Sequence, residues 1–352
     1  MKIKNRNIGV NEKPYFIADI AANHDGCIER AKSLIWQAAE SGADAAKFQN
    51  FTAETLVSNY GFKKLNDIKT HQNNWEDSVF DVYNKASIPL NWTKILFQTC
   101  VDAKIDYFTS LYNLNDLDFL NEYVAAWKIG SGDITWHSLI DNCSSTNKPL
   151  ILATGASNIE EVKKAVKIIS NNKKSFVLMQ CNTNYSGSIE NFSFIELNVL
   201  KSYNKLFPNA ILGLSDHTPG HATVLGAIAL GASVIEKHFT DDNTRKGSDH
   251  PFSMEPHEWK EMVDRSLELK MALGTEKKEV MQNEFDTRIV QRRAIRCNRE
   301  INIGEVLKEV DLTFLRPCPK GGLPPYEVDK IIGKVVKKRV DKGDIIKISD
   351  LG

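Results

Sequence analysis

The sequence predicts an α/β fold: a (β/α)8 barrel of the TIM type, followed by a small β-rich domain. Three observations carry this. Eight short apolar runs alternate with helical patterns over residues 1–274, about the length such a barrel needs. The turn after the first run, Ala22-Asn23-His24-Asp25-Gly26, lacks the glycine-rich fingerprint that an open dinucleotide-binding sheet places there. Beyond Gly274 the texture changes, first to a charged stretch and then to short β-like runs punctuated by Gly, Pro and Asp.

The strand candidates are 15–22, 45–50, 106–111, 125–131, 149–155, 175–181, 210–216 and 233–239. Helical periodicity falls between and after them, at 28–41, 91–103, 159–170, 194–205, 221–230 and 256–273. The interval 51–89 is long, polar and aromatic (Tyr60, Trp75, Phe80, Tyr83), and reads as a cover over an active site. Residues 275–290 read as a linker and 291–352 as the second domain, with β segments at 294–298, 311–315, 333–339 and 345–348.

Among the 352 residues, 45 basic and 45 acidic side chains cancel, so no global field argues for a nucleic-acid or membrane partner. No apolar run reaches membrane-spanning length, and the start lacks a signal-peptide core. The six cysteines are scattered without a C-x-x-C pair. The expectation is a reduced, cytoplasmic protein.

The chemistry gathers at strand ends. The runs 210–216 and 233–239 flank a small-residue helix, a βαβ unit whose right-handed crossover makes the strands parallel. His217 and His238 therefore emerge at the same C-terminal sheet edge, where two imidazoles suit an open metal site. In a barrel, other strand ends converge on the same pocket. They bring Asp19, Asp25, Lys47, Gln49, Ser110, Lys128, Ser131, Asp133, Thr183, Tyr185, Ser215, Glu236 and, a little later, Asp249. Two strand-borne lysines facing hydroxyls and the Gly130-Ser131-Gly132 turn make an anion pocket beside the histidines.

Several stretches resemble the sialic acid synthases in order along the chain. They are the run from Phe16 to Gly26, Lys47-Phe48-Gln49, Trp127 to Gly132, Gly213 to Thr218, and Ile235-Glu236-Lys237-His238-Phe239. The end of the chain, including Leu315-Arg316-Pro317, looks like that family's antifreeze-like SAF domain, a β-clip fold. The resemblance implies condensation of phosphoenolpyruvate with the open-chain aldehyde of an N-acetylated amino sugar such as N-acetylmannosamine, with release of phosphate. It implies a divalent metal on His217 and His238, most often Mn2+, with Mg2+ or Co2+ as alternatives. Lys47, Gln49, Lys128, Ser131 and Ser215 would hold phosphoenolpyruvate. Asp25 would orient water or move a proton, and Glu236 and Asp249 would hold water or sugar hydroxyls. Ser110, Asp133, Thr183 and Tyr185 would complete the substrate surface. Arg316 would reach across a domain-swapped homodimer to the sugar's N-acetyl group in the partner's barrel.

The chain departs from the family pattern at Asp25, Asp133, Ser110-Leu111, Ala153 and the Asn182 to Ser186 stretch, all positions that face substrate. The acceptor sugar is therefore open among the neuraminic, legionaminic and pseudaminic types and the 9-phosphate product. Two further readings differ in kind: a Schiff-base aldolase using Lys128, and a non-catalytic binding protein built on the same barrel.

Overall fold

Strand by strand, the computed structural model follows the alternation in the sequence; it describes residues 1–65, 72 and 75–352. The chain enters through a hairpin the sequence did not signal, β1 (Lys2–Ile3) and β2 (Arg6–Asn7). Then come β3 (Tyr15–Asp19), β4 (Ala45–Asn50), β5 (Asp106–Leu111) and β6 (Trp127–Ile129). The set is completed by β7 (Leu150–Ala153), β8 (Phe176–Cys181), β9 (Ala210–Asp216) and β10 (Val234–His238). These eight strands, β3 to β10, close into a parallel barrel in which β10 pairs with both β9 and β3.

Alternate residues of each strand face the lumen. The lower lumen is filled by Tyr15, Ile17, Phe108, Ile151, Val177 and Met179, with Ala45, Ala126 and Ala153 as small partners. Ile3 and Ile8 join this cluster, so the hairpin plugs the bottom of the barrel. On the same parity one layer higher, the inward residues turn polar: Asp19, Lys47, Ser110, Lys128, Ser215 and Glu236. The outward residues, such as Phe16, Phe48, Leu152, Leu178, Leu214 and Ile235, pack under the helices. Helix Ile28–Glu40 buries Ala31, Leu34, Ile35 and Ala38, one stripe at helical spacing. Helix Ile159–Asn172 starts at Asn158, whose side chain accepts from the Glu160 and Glu161 amides while Glu161 reaches back, a reciprocal cap. The interval after β4 folds back over the barrel mouth, and Phe51, Tyr83 and Tyr112 pack ring to ring there. Part of that interval, with His71, lies outside the described residues.

The chain divides into two units, Met1–Gly274 and Thr275–Gly352. The second has its own core of Ile295, Cys297, Ile301, Leu307, Ile331, Val336, Val340, Ile346 and Leu351. Its one regular ladder pairs β11 (Ala294–Cys297) with β12 (Leu312–Leu315). The expected strands at 333–339 and 345–348 are single bridges instead. Val335 and Val336, adjacent in sequence, bridge to different segments at Val306 and Leu351, so no ladder can run on. The expected linker is also partly structured: helix Phe285–Gln291 spans its end, and the Ile289 carbonyl accepts from the Cys318 amide. Among the described residues, no helix is long and apolar enough to cross a membrane.

Candidate active site

At the C-terminal ends of the barrel strands lies a cavity of about 400 Å³. Strand parity decides what faces it. Lys47 and Lys128, only 2% and 3% exposed, sit in the upper lumen layer of β4 and β6. Each is met by a carboxylate. Lys47 Nζ lies 2.5 Å from Asp19 Oδ2 and 3.7 Å from Glu236 Oε1, while Lys128 Nζ lies 3.0 Å from the same Glu236 oxygen. Burial works against the Lys47 ammonium, but Asp19 and Glu236 outweigh it and hold the group above the ordinary lysine range. The Ser215 hydroxyl donates to Glu236 Oε1 at 3.4 Å, and Glu236 Oε2 is buried without a hydrogen-bond partner among the described residues. Ser131 accepts from the Gly155 amide at 2.8 Å, which ties the turn after β6 to the end of β7. Gly155 is needed at that approach: a Cβ there would stand 2.5 Å from Thr183 Cγ2 and 3.0 Å from Ser131 Oγ.

The histidines stand on the other side of the mouth. His217 Nδ1 donates to the Asn182 carbonyl at 2.8 Å, which leaves Nε2 as the nitrogen with a lone pair. Burial pushes the His217 imidazole down to about 4 and His238 well below its ordinary value, so both rings are neutral near pH 7. Their centroids are 5.3 Å apart, with Tyr185 packed 4.3 Å from His217 and Phe252 4.9 Å from His238. His238 Nδ1 is buried without a hydrogen bond among the described residues, with Asp249 Oδ2 3.9 Å away. The cavity carries two lysines against four carboxylates, Asp19, Asp133, Glu236 and Asp249. Burial pushes Asp133 up to about 6 against the pull of Lys128, and raises Asp249 as well. Neutral imidazole nitrogens beside an excess of buried carboxylate form a donor set suited to a divalent cation. Among the described residues no three His, Cys, Asp or Glu side chains form a cage, so an ion there would keep open positions.

Of the residues singled out from sequence, Lys47, Gln49, Ser110, Lys128, Ser131, Asp133, Tyr185, Ser215, His217, Glu236, His238 and Asp249 all line this one cavity. Three do not. Asp25, expected to orient water, lines an adjoining cavity instead. Both its oxygens are engaged: His250 Nε2 lies 3.0 Å from Oδ1, while Arg245 and Arg30 hold Oδ2 at 2.7 and 3.2 Å. It clamps the loop after β3 to the loop after β10. Thr183 turns its methyl toward Gly155 rather than into the cavity. Arg316 lies exposed in the second unit, just past β12.

Asp216 and Lys237, which share the strand ends with the histidines, face outward. They form a 2.6 Å ion pair, with Thr218 and Thr223 donating to the Asp216 carboxylate. Sequence reasoning left Asp19, Tyr83 and Tyr112 without roles. Asp19, already expected at the strand end, lines the cavity as the lumen-facing register partner of Lys47. Tyr112 directly follows β5 on the inward parity of Phe108 and Ser110, whereas the place of Tyr83, a residue of the expected cover, depends on how the interval after β4 folds.

Comparison with known proteins points to one family. The NeuB family model matches residues 34–278 and the SAF domain model matches residues 292–352. The N,N'-diacetyllegionaminic acid synthase of Campylobacter jejuni is 32% identical, over 96% of this chain and 99% of that one. The pseudaminic acid synthase of Campylobacter jejuni is 30% identical, over 98% of each chain. The crystal structure of N-acetylneuraminic acid synthetase from Leptospira borgpetersenii, in complex with citrate, is 27% identical with a TM-score of 0.71, over 82% of this chain and 94% of that one. The chain belongs to the NeuB family, among relatives that are nonulosonic acid synthases, and carries a SAF domain over residues 292–352.

Proposed function

We propose that this chain condenses phosphoenolpyruvate with the aldehyde of an open-chain N-acylated amino sugar, giving a nonulosonic acid and inorganic phosphate. The observation that carries the proposal is the meeting of Lys47 and Lys128 with two neutral imidazoles in one cavity. The lysines, with Ser131, Ser215 and Gln49, bind the carboxylate and phosphate of phosphoenolpyruvate. A divalent metal held by His217 and His238, Mn2+ in the first place, supplies Lewis-acid polarisation of the acceptor carbonyl when bound. Carbon 3 of phosphoenolpyruvate forms a bond to the aldehyde carbon, whose oxygen takes up a proton and becomes a hydroxyl. Water adds at carbon 2, the bond from carbon 2 to the phosphate oxygen breaks, and phosphate leaves. Glu236 Oε2, buried and unpartnered, takes the proton from that water.

The proposal includes a homodimer in which Arg316 of one protomer serves the barrel of its partner; a monomer by sedimentation at assay concentration contradicts that part. The test of the reaction is phosphate release from phosphoenolpyruvate with N-acetylmannosamine and Mn2+. Release should depend on the sugar, yield a product with the new carbon–carbon bond by mass spectrometry, and stop with a chelator. Inactivation by borohydride with label on Lys128 would instead establish the Schiff-base aldolase. Against that reading, Lys128 is ion-paired to Glu236 rather than set in the apolar pocket that activates such a lysine.

A further inference from the structure

Behind the two histidines, on the outer side of the barrel wall, Asp216 and Lys237 form an ion pair, and neither residue lines the cavity. Asp216 immediately precedes His217, and Lys237 immediately precedes His238. The two residues are 3% and 2% exposed. Their 2.6 Å contact runs directly across the sheet, because they are the last register partners of β9 and β10.

The histidines themselves are not held alike. His238 is the last residue of β10, pairs with Asp19 of β3, and accepts the Met254 amide on its carbonyl at 2.9 Å. His217 lies one residue past the end of β9, where the ladder with β10 has stopped. Apart from the bond between its ring and the Asn182 carbonyl, its place depends on the residues to either side. Lys237 Nζ engages both of them: it donates to Asp216 Oδ2 at 2.6 Å and to the Thr218 carbonyl at 2.6 Å. The Thr218 hydroxyl donates back to Asp216 Oδ2 at 2.9 Å. The Thr223 hydroxyl, from helix Ala222–Ala229, donates to the same oxygen at 2.7 Å. One ammonium, on the residue before His238, thus grips the chain on both sides of His217.

A buried pair of this kind adds little net stability over a well-packed apolar contact, because both charges lose their water. What it adds is direction. Two ligands on different strands suit one cation only while their nitrogens keep a fixed spacing, and the groups behind the ligands set that spacing.

Resting on the metal part of the proposed function, we propose that Asp216 and Lys237 are positioning residues. Their buried pair, anchored on the Thr218 carbonyl, sets the spacing of His217 and His238 for a divalent cation. A role through charge alone has the opposite sign. Lys237 is itself a cation near the histidines, so by its field alone its removal would tighten the binding of another cation.

The test titrates Mn2+ into the full chain by calorimetry, without substrates, and records the electron paramagnetic resonance spectrum of the bound ion. In Lys237→Met the ammonium goes and most of the side-chain volume stays. Mn2+ affinity should fall by about tenfold or more, the scale for losing a group that orients a metal ligand, and against the direction of the field. The double variant Asp216→Asn with Lys237→Met strands no charge, and serves also where the single variant fails to fold. It should lose Mn2+ affinity by about tenfold as well and shift the zero-field splitting of the bound ion. Sulfate binding at Lys47 and Lys128 should stay within about twofold of wild type. An unchanged Mn2+ affinity and spectrum in the double variant, or tighter Mn2+ binding in Lys237→Met, overturns the inference and leaves the proposed function standing. Loss of sulfate binding together with Mn2+ binding in the double variant also overturns it, because the pair would then hold the whole barrel mouth. Absence of Mn2+ binding in the wild type overturns the metal part of the proposed function, and this inference with it.

Discussion

Replacing Lys128 with Met isolates the charge network at the base of the site. The ammonium lost lies 3.0 Å from Glu236 Oε1, and Glu236 is 4% exposed. What remains for that carboxylate is Lys47 at 3.7 Å, already engaged with Asp19 at 2.5 Å, and a Ser215 hydroxyl at 3.4 Å. Its second oxygen has no hydrogen-bond partner among the described residues. Breaking a buried pair by removing one member costs about 3–5 kcal/mol, most of it from the stranded charge. The residual contact to Lys47 places Lys128→Met near the lower end, about 3 kcal/mol. Neutralising the partner as well, in Lys128→Met with Glu236→Gln, removes the stranded charge and should bring the loss to about 1 kcal/mol. The single and double variants then differ by about 2 kcal/mol, well above the error of such a comparison. Urea unfolding followed by tryptophan fluorescence reads it directly. Both variants should lose sulfate binding, since the anion needs the ammonium itself. Equal stability of the single and double variants, within about 0.5 kcal/mol, would refute the reasoning.

Three further outcomes are expected. His217→Ala should weaken Mn2+ binding by about 100-fold in calorimetry, the loss expected when one of two protein donors goes, and unchanged affinity would remove His217 from the metal set. Sulfate, whose charge does not change in this range, should bind more weakly as pH rises from about 5 to about 7. Burial holds the Asp133 carboxyl up at about 6, so it is neutral below that value and repels an anion above it. Asp133→Asn should flatten the profile, and a wild-type profile that is already flat would count against this placement of the charge. Gly155→Ala should weaken sulfate binding by about tenfold, because its Cβ would press on Ser131 Oγ at 3.0 Å and on Thr183 at 2.5 Å; unaltered affinity would show that the turn after β6 gives way freely.

How far the sequence could be read depended on period. Strands that alternate between a packed lumen and a packed helical layer announce themselves, and 45–50, 106–111 and 210–216 form with the expected bounds. The same parity places Lys47, Lys128, Ser215 and Glu236 inward together, which is why most of the cavity was legible. Parity also separates Glu236 from its neighbour Lys237, whose outward ion pair to Asp216 belongs to the shell. The misses share one cause. Two-residue strands such as β1 and β2, single bridges such as Val306 to Val335, and loop clamps such as Asp25 to Arg245 carry no period at all. Asp25 sits beside a glycine in a turn, and only the return of the loop after β10 decides what its carboxylate meets.

The central claim is that the cavity joins carbon 3 of phosphoenolpyruvate to an aldehyde and then breaks the bond between carbon 2 and oxygen. Phosphoenolpyruvate labelled with oxygen-18 at the bridging position, turned over by the wild-type chain with Mn2+ and N-acetylmannosamine, reports this directly. The account predicts the label in inorganic phosphate, alongside a sugar acid with the new carbon–carbon bond. Label retained at carbon 2 of the product would mean that the phosphorus–oxygen bond had broken, and would contradict it.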